Sequence, residues 1–119
     1  MPHLYVEYSA NLADLPEQQL LTELVNSVCG HPSIIDEFDV KGRITKTQQY
    51  VIGNVAGARG FIHAELKLLS GRTPEAKKEL SDGIGEILRR LTPHPEGMLV
   101  QVSVEISDMD RGSYHKSKL

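Results

Sequence analysis

The 119-residue chain predicts an α+β fold, a duplicated β-α-β unit with two helices packed on one face of a mixed four-stranded sheet. Three observations carry this prediction. Pro16-Glu17 opens one helical pattern and Pro74-Glu75 opens a second, 58 positions later. The same shift lays HLYVEYSAN (3–11) on FIHAELKLL (61–69), so that Leu4 meets Ile62, Val6 meets Ala64, Glu7 meets Glu65 and Tyr8 meets Leu66. Each half then closes on a further alternating segment. A half-length repeat implies two copies of one unit about a pseudo-twofold axis. The copies run over about residues 2–58 and 60–116 of a single 1–119 domain.

Taken in order, 3–11 alternates apolar and polar residues, the period of a strand with one buried face. Asp14-Leu15-Pro16-Glu17 has capping-box spacing with an early-turn proline and predicts the start of a helix. Leu20, Leu21, Leu24, Val25 and Val28 form its apolar stripe, and Gly30 stops it. VKGRITKTQ (40–48) is the next strand, followed by a glycine-rich excursion, QQYVIGNVAGARG (48–60), suited to a subunit contact. After the strand 61–69, Thr73 is the N-cap and Pro74 the first residue of the second helix. Leu80, Ile84, Ile87, Leu88 and Leu91 form its stripe, and Pro93 ends it. Gly83 and Gly85 weaken this helix intrinsically and point to a tight helix–sheet contact. MLVQVSVEI (98–106) is the last strand, with Val100, Val102, Val104 and Ile106 on one face. The outward set Tyr5, Glu7, His63, Glu65, Leu99 and Gln101 is mixed in character, which predicts a polar layer between subunits of an oligomer.

The composition narrows the function classes. With 13 basic against 16 acidic residues and no basic run, a nucleic-acid surface is not expected. No apolar stretch approaches a membrane span, and the start lacks the form of a signal peptide. Cys29 is the only cysteine, which suits a reducing compartment and the cytoplasm; it reads as a buried structural thiol rather than a nucleophile. Ser117-Lys118-Leu119 matches a peroxisomal address, but three residues weigh little against a polar tail. The five histidines (3, 31, 63, 94 and 115) show no metal-ligand spacing, and there is no phosphate loop or nucleophile elbow. His63 is an acid or, more simply, a hydrogen-bonded structural residue.

The remaining candidates concern protons and anions. Pro2 stands directly behind Met1. It either opens a strand that needs no first N–H donor or, with Met1 removed, presents a secondary amine. A free α-amine titrates near ~8, and burial beside cations lowers it further, which makes a general base at neutral pH. Arg72 in SGRT (70–73) precedes the second helix, where its guanidinium beside the first-turn N–H groups makes a carboxylate or phosphate subsite; a solvated loop arginine is the alternative. Lys41 and Arg43 lie two apart in a strand and share one face. They suit a substrate with several carboxylates, or else form a solvated strand edge.

MPHLYVEYS at the start, GFIHAELKLLSGRTPEAKKEL in the middle and VSVEI near the end together resemble the 5-carboxymethyl-2-hydroxymuconate delta-isomerase family of the tautomerase superfamily. That superfamily includes 4-oxalocrotonate tautomerase and macrophage migration inhibitory factor. The resemblance covers nearly the whole chain, with 30–58 the weakest part. It implies a homotrimer with active sites near subunit boundaries, removal of Met1, and Pro2 as the acid/base. It implies a cofactor-independent isomerase of aromatic catabolism that converts an unsaturated 2-hydroxy di- or tricarboxylate to its 2-oxo-ene isomer. By the same resemblance Arg72 binds a carboxylate or polarises the 2-oxo group. The second family arginine falls on Lys41, with Arg43 two positions on; lysine keeps the charge and loses the bidentate fork. The alternatives are another reaction of the superfamily, dehalogenation or decarboxylation, with Glu7 or Glu65 activating water, and a non-catalytic oligomeric binding module.

Overall fold

The computed structural model describes residues 1–119. Its elements are β1 (His3–Ser9), α1 (Glu17–Cys29), β2 (Lys41–Thr47), β3 (Arg59–Leu69), α2 (Pro74–Leu91) and β4 (Leu99–Met109), with one 3₁₀ turn at Glu37–Asp39. The sheet order is β2-β1-β3-β4. β1 and β2 run parallel, as do β3 and β4, and the central β1–β3 pair is antiparallel. This is the mixed sheet with two helices on one face that the repeat predicts.

The repeat is also the geometry of the central pair. Leu4 lies opposite Leu66 and Tyr8 opposite Ile62, and the sequence shift of 58 exchanges these two pairs. Val6 opposite Ala64 maps onto itself, so the pseudo-twofold axis passes there. The halves differ in their crossovers. His3 lies opposite Lys41, but its counterpart Phe61 lies opposite Gln101 rather than Leu99. The second crossover is therefore two residues longer, with a helix of 18 residues in place of 13 and a shorter return.

Alternation along the strands sends Leu4, Val6, Tyr8, Ile62, Ala64, Leu66 and Leu68 into the core, where they meet Leu20, Leu24 and Val28 of α1 and Leu80, Ile84 and Leu88 of α2. Each large side chain buried this way contributes roughly 1.5–3 kcal/mol. Tyr8 keeps its hydroxyl satisfied by donating to Glu17 at 2.7 Å, and burial together with that carboxylate pushes the phenol up to about 12. Thr73 caps α2 as expected, its side-chain oxygen accepting from the Ala76 N–H at 3.1 Å.

Four expectations are corrected. Asp14 does not cap α1, which starts at Glu17 with Pro16 in the cap position and no side-chain cap. Tight turns (Leu12 N–H to Ser9, Leu15 N–H to Leu12) bury Leu12 and Leu15 and leave Asp14 in solvent. Gly83 serves the contact between helices, a Cβ there meeting Ser27 Oγ at 3.0 Å, while Gly85 stands at ordinary distance from Val104 of β4. β4 runs on to Met109 and β3 begins at Arg59, because their parallel pairing continues over 11 residues. The excursion between β2 and β3 is correspondingly shorter. Gly53 (φ 68°) turns it, Arg59 Nη1 donates to the Ile52 carbonyl at 3.0 Å, and Val51 and Val55 stand exposed.

The face away from the helices is polar and cross-linked. Thr47 donates to Glu7 and Ser107 to Glu65, both at 2.8 Å, and His63 Nδ1 lies 2.7 Å from Ser103 Oγ. Gly42 has a steric role on the inner face. A Cβ on it would approach Val25 Cγ2 at 2.7 Å and Leu21 Cδ1 at 3.1 Å, so its absence lets α1 lie down on β2. Replacing Gly42 by valine is expected to lower the unfolding free energy by about 1–3 kcal/mol through overpacking, read as a fall in the urea midpoint. An unchanged midpoint would show that α1 does not depend on this close approach.

Candidate active site

The sheet topology gathers four pieces of chain at one end. β1 and β2 begin there and β3 and β4 finish there, so Pro2, Lys41, Arg72 and the segment after Met109 become neighbours although they are far apart in the chain. A small pocket of about 130 Å³ opens at this end, lined by Met1, Pro2, Ser33, Ile34, Ile35, Asp36, Asp39 and Arg72.

Pro2 is buried, and its carbonyl accepts the Lys41 N–H at 3.1 Å, which extends the β1–β2 ladder by one bond. With Met1 attached, the Pro2 nitrogen is an amide and has no basic lone pair. The Met1 amine is held below its usual range. Burial is the main cause, Asp39 opposes it, and Lys116, Arg72 and Lys41 add to it. Lys41 Nζ donates to the Asp39 carbonyl at 3.0 Å and to Met1 Sδ at 3.5 Å.

Arg72 lies in the pocket wall by a route other than the expected one. Its guanidinium turns away from the first turn of α2, which Thr73 already caps, and crosses to the loop after α1. Nε donates to Ser33 Oγ at 3.0 Å, Nη2 to the Ser33 carbonyl at 3.1 Å and Nη1 to the Leu69 carbonyl at 3.2 Å. One N–H on each terminal nitrogen is left without a protein partner. Burial and then the nearby Arg111 lower its pKa, against Asp108, but a guanidinium stays charged at any working pH.

Arg43 shares the outer sheet face with Lys41, as predicted, one step further along β2. Its guanidinium stacks 4.2 Å above the Tyr5 ring, and Nη2 donates to His3 Nδ1 at 3.2 Å. Because arginine only donates, His3 Nδ1 must accept, which puts the imidazole proton on Nε2, 2.8 Å from the Tyr114 hydroxyl. Burial, followed by Arg43, Lys41, the chain terminus and Lys67, holds the His3 pKa below its usual value.

The sequence reading did not find Asp39, His3, Tyr114 or Lys116. The C-terminal segment brings the last two: Tyr114 reaches His3, Lys116 Nζ reaches Asp39 Oδ2 at 3.4 Å, and Lys118 lies over the Phe38 ring at 4.6 Å. No sequence signal ties position 116 to position 39; only the end of β4 beside the start of β1 and β2 does so. Asp39 had one faint signal, a lone carboxylate two positions before Lys41 at a strand mouth. Glu7 and Glu65, the carboxylates considered from sequence, are engaged with Thr47 and Ser107 on the open sheet face and do not line this pocket. Cys29 is half-buried, its Sγ 3.7 Å from the Glu37 carbonyl, and burial then Glu37 push the thiol up, away from nucleophile behaviour.

A family model described as 5-carboxymethyl-2-hydroxymuconate isomerase matches residues 2–119. No curated protein matches the chain in sequence. Among solved structures, a 5-carboxymethyl-2-hydroxymuconate isomerase from Deinococcus radiodurans R1 is 24% identical with a TM-score of 0.85, over 99% of this chain and 90% of that one. A 5-carboxymethyl-2-hydroxymuconate delta-isomerase is 19% identical with a TM-score of 0.81, over 100% and 88%. A fused 4-OT wild-type symmetric trimer is 18% identical with a TM-score of 0.71, over 98% and 92%.

The electrostatics of His3 give a direct prediction. Its imidazole is expected to titrate below the ordinary histidine range in an NMR titration of the C2 proton. Removing the adjacent cation in Arg43→Gln should move that midpoint upward, since a like charge no longer opposes protonation. An unchanged midpoint would mean that Arg43 does not hold the His3 ring.

Proposed function

This chain belongs to the 5-carboxymethyl-2-hydroxymuconate isomerase family and is an isomerase; we propose that its proton carrier is Pro2, exposed as a secondary amine by removal of Met1. The carrying observation is that Pro2 is buried in a pocket with Arg72, its carbonyl pinned by Lys41, at a point where cations and burial depress an amine's pKa. Such an amine holds its proton less tightly than a free terminus and can act as a general base.

The substrate of this reading is an unsaturated 2-hydroxy acid with two or three carboxylates. Pro2 takes the proton of the 2-hydroxyl, and the O–H electron pair becomes the new C=O. The double bonds shift along the chain, and the Pro2 ammonium returns the proton to a distal carbon. Atoms and charge balance without a cofactor. Arg72, with one free N–H on each terminal nitrogen, holds a carboxylate or the developing oxyanion. Lys41, whose Nζ donates to Met1 Sδ, is the second cation, with Arg43 next on the same face of β2. The long unpaired edge of β4, the exposed Leu99, Val51 and Val55, and the polar outer face support a homotrimer. No helix is long and apolar enough to cross a membrane; cytoplasmic residence and a role in aromatic catabolism are part of the same reading.

Ultraviolet-monitored ketonisation of 2-hydroxymuconate and its 5-carboxymethyl derivative tests it, with protein whose intact mass confirms the loss of Met1. Turnover is expected, and alkylation of Pro2 should abolish it. Activity that survives full alkylation would remove Pro2 from the mechanism. Arg72→Ala should lower kcat/KM by roughly 10²-fold or more if it stabilises developing oxyanion charge. A rate close to wild type would confine Arg72 to tying Ser33 to the end of β3.

A further inference from the structure

Asp39, which lines the pocket, carries an unused acceptor. Its Oδ2 takes the Lys116 ammonium at 3.4 Å, while Oδ1 is sealed from solvent and has no hydrogen-bond partner. A carboxylate oxygen can only accept, so a buried one without a donor is destabilising and calls for an N–H or O–H nearby. The chain with Met1 attached has none to give at Pro2, because a prolyl amide nitrogen bears no hydrogen. Removal of Met1 changes this. A protonated Pro2 nitrogen carries two N–H donors, and Pro2 and Asp39 line the same narrow pocket. In the processed chain the orphaned oxygen gains a candidate donor in its own pocket.

We propose that Asp39 is a positioning residue for the terminal amine, accepting from the protonated Pro2 nitrogen through Oδ1, and that Lys116 tunes this contact by holding Oδ2. The proposal rests on the reading of Pro2 as proton carrier. It gives the C-terminal segment a part in the reaction: the segment delivers Lys116 across 77 positions to Asp39, anchored by Tyr114 on His3 and Lys118 on Phe38. It also separates opposing influences at the terminus. Asp39 favours the ammonium; Lys116 from the tail, Arg72 from the loop after β3 and Lys41 from β2 favour the free amine. Asp36 lines the pocket as a further carboxylate, and His3 stands neutral beside Arg43 on β1.

The sign of each substitution follows. Asp39→Asn removes a charge that stabilises the ammonium, so the Pro2 pKa falls. Lys116→Gln removes a cation and releases the carboxylate, so the Pro2 pKa rises. The experiment uses mass-verified, Met1-free protein in two measurements. One is the pH dependence of kcat/KM for the 2-hydroxy acid; the other, independent of turnover, is the NMR titration of the ¹⁵N-proline-labelled terminus. The acid limb and the ¹⁵N midpoint are expected to move together, to lower pH in D39N and to higher pH in K116Q. The K116Q shift should shrink in the D39N background, because part of it acts through that carboxylate. Profiles that superimpose on wild type in both variants, or a D39N shift of opposite sign, would overturn the proposal. K116Q alters a partly exposed tail residue and keeps the test decisive if D39N folds poorly. Failure of the Pro2 reading looks different: the ¹⁵N midpoint still responds to both variants while turnover is absent or indifferent to Pro2 alkylation.

Discussion

The structure depends on the register of the antiparallel β1–β3 pair. With Val6 opposite Ala64, every core residue of both strands points at the helices and every polar one points away. A slip of one residue would reverse both faces at once. The same register decides what meets at the ends of the sheet. β2 runs parallel to β1 and β4 parallel to β3, so fixing the central pair brings the starts of one half beside the finishes of the other. The pocket is assembled from the ends of the strands and from the connection between α1 and β2, which supplies Ser33 to Arg72 and Asp39 to the pocket wall.

That assembly creates an electrostatic competition. The Met1 amine is held below its usual range by burial first, with Asp39 opposing and Lys116, Arg72 and Lys41 adding to the fall. Three cations around a buried nitrogen would leave it too reluctant to carry the proton between two atoms of a substrate. On the proposed reading Asp39 supplies the opposing charge, and its pairing with Lys116 limits how much of that charge the amine feels. Arg72 meets a second demand. Three donated bonds to Ser33 and Leu69 hold its plane, and a held guanidinium presents its remaining N–H groups with little further loss of conformational freedom.

Much of the fold was legible because it is carried by periodicity. Alternation marked the strands, 3.6-residue stripes marked the helices, and the shift of 58 between Pro16 and Pro74 joined them into two copies. Thr73 was readable as a cap since a threonine before a proline has few other uses; Asp14 was misread because burial of Leu12 and Leu15, a tertiary demand, overrode a local capping pattern. For the site, Pro2, Lys41 and Arg72 could be named one at a time, and the structure brings those three together; Arg43 stands one step aside, occupied with His3 and Tyr5. The orientation of Arg72 was not legible, because its partners Ser33 and Leu69 lie on different elements. The pairing of Asp39 with Lys116 was not legible for a similar reason: it spans 77 positions, and no propensity or spacing ties one to the other.

Met1 has several contacts that its removal would change. Attached, it turns the Pro2 nitrogen into an amide, and its sulfur occupies Lys41 Nζ. It also lines the pocket it would vacate. On the proposed reading, the group that withholds the base also occupies one of the two cations assigned to the substrate. Cleavage of one peptide bond would release a secondary amine, a lysine donor and space in the pocket, and would give the orphaned Asp39 oxygen a partner. The neighbouring Pro2 carbonyl stays bonded to the Lys41 N–H throughout, since that bond belongs to the sheet ladder and not to Met1. The new terminus is held in place by β1 and β2, so the site needs no rearrangement of the fold to become complete.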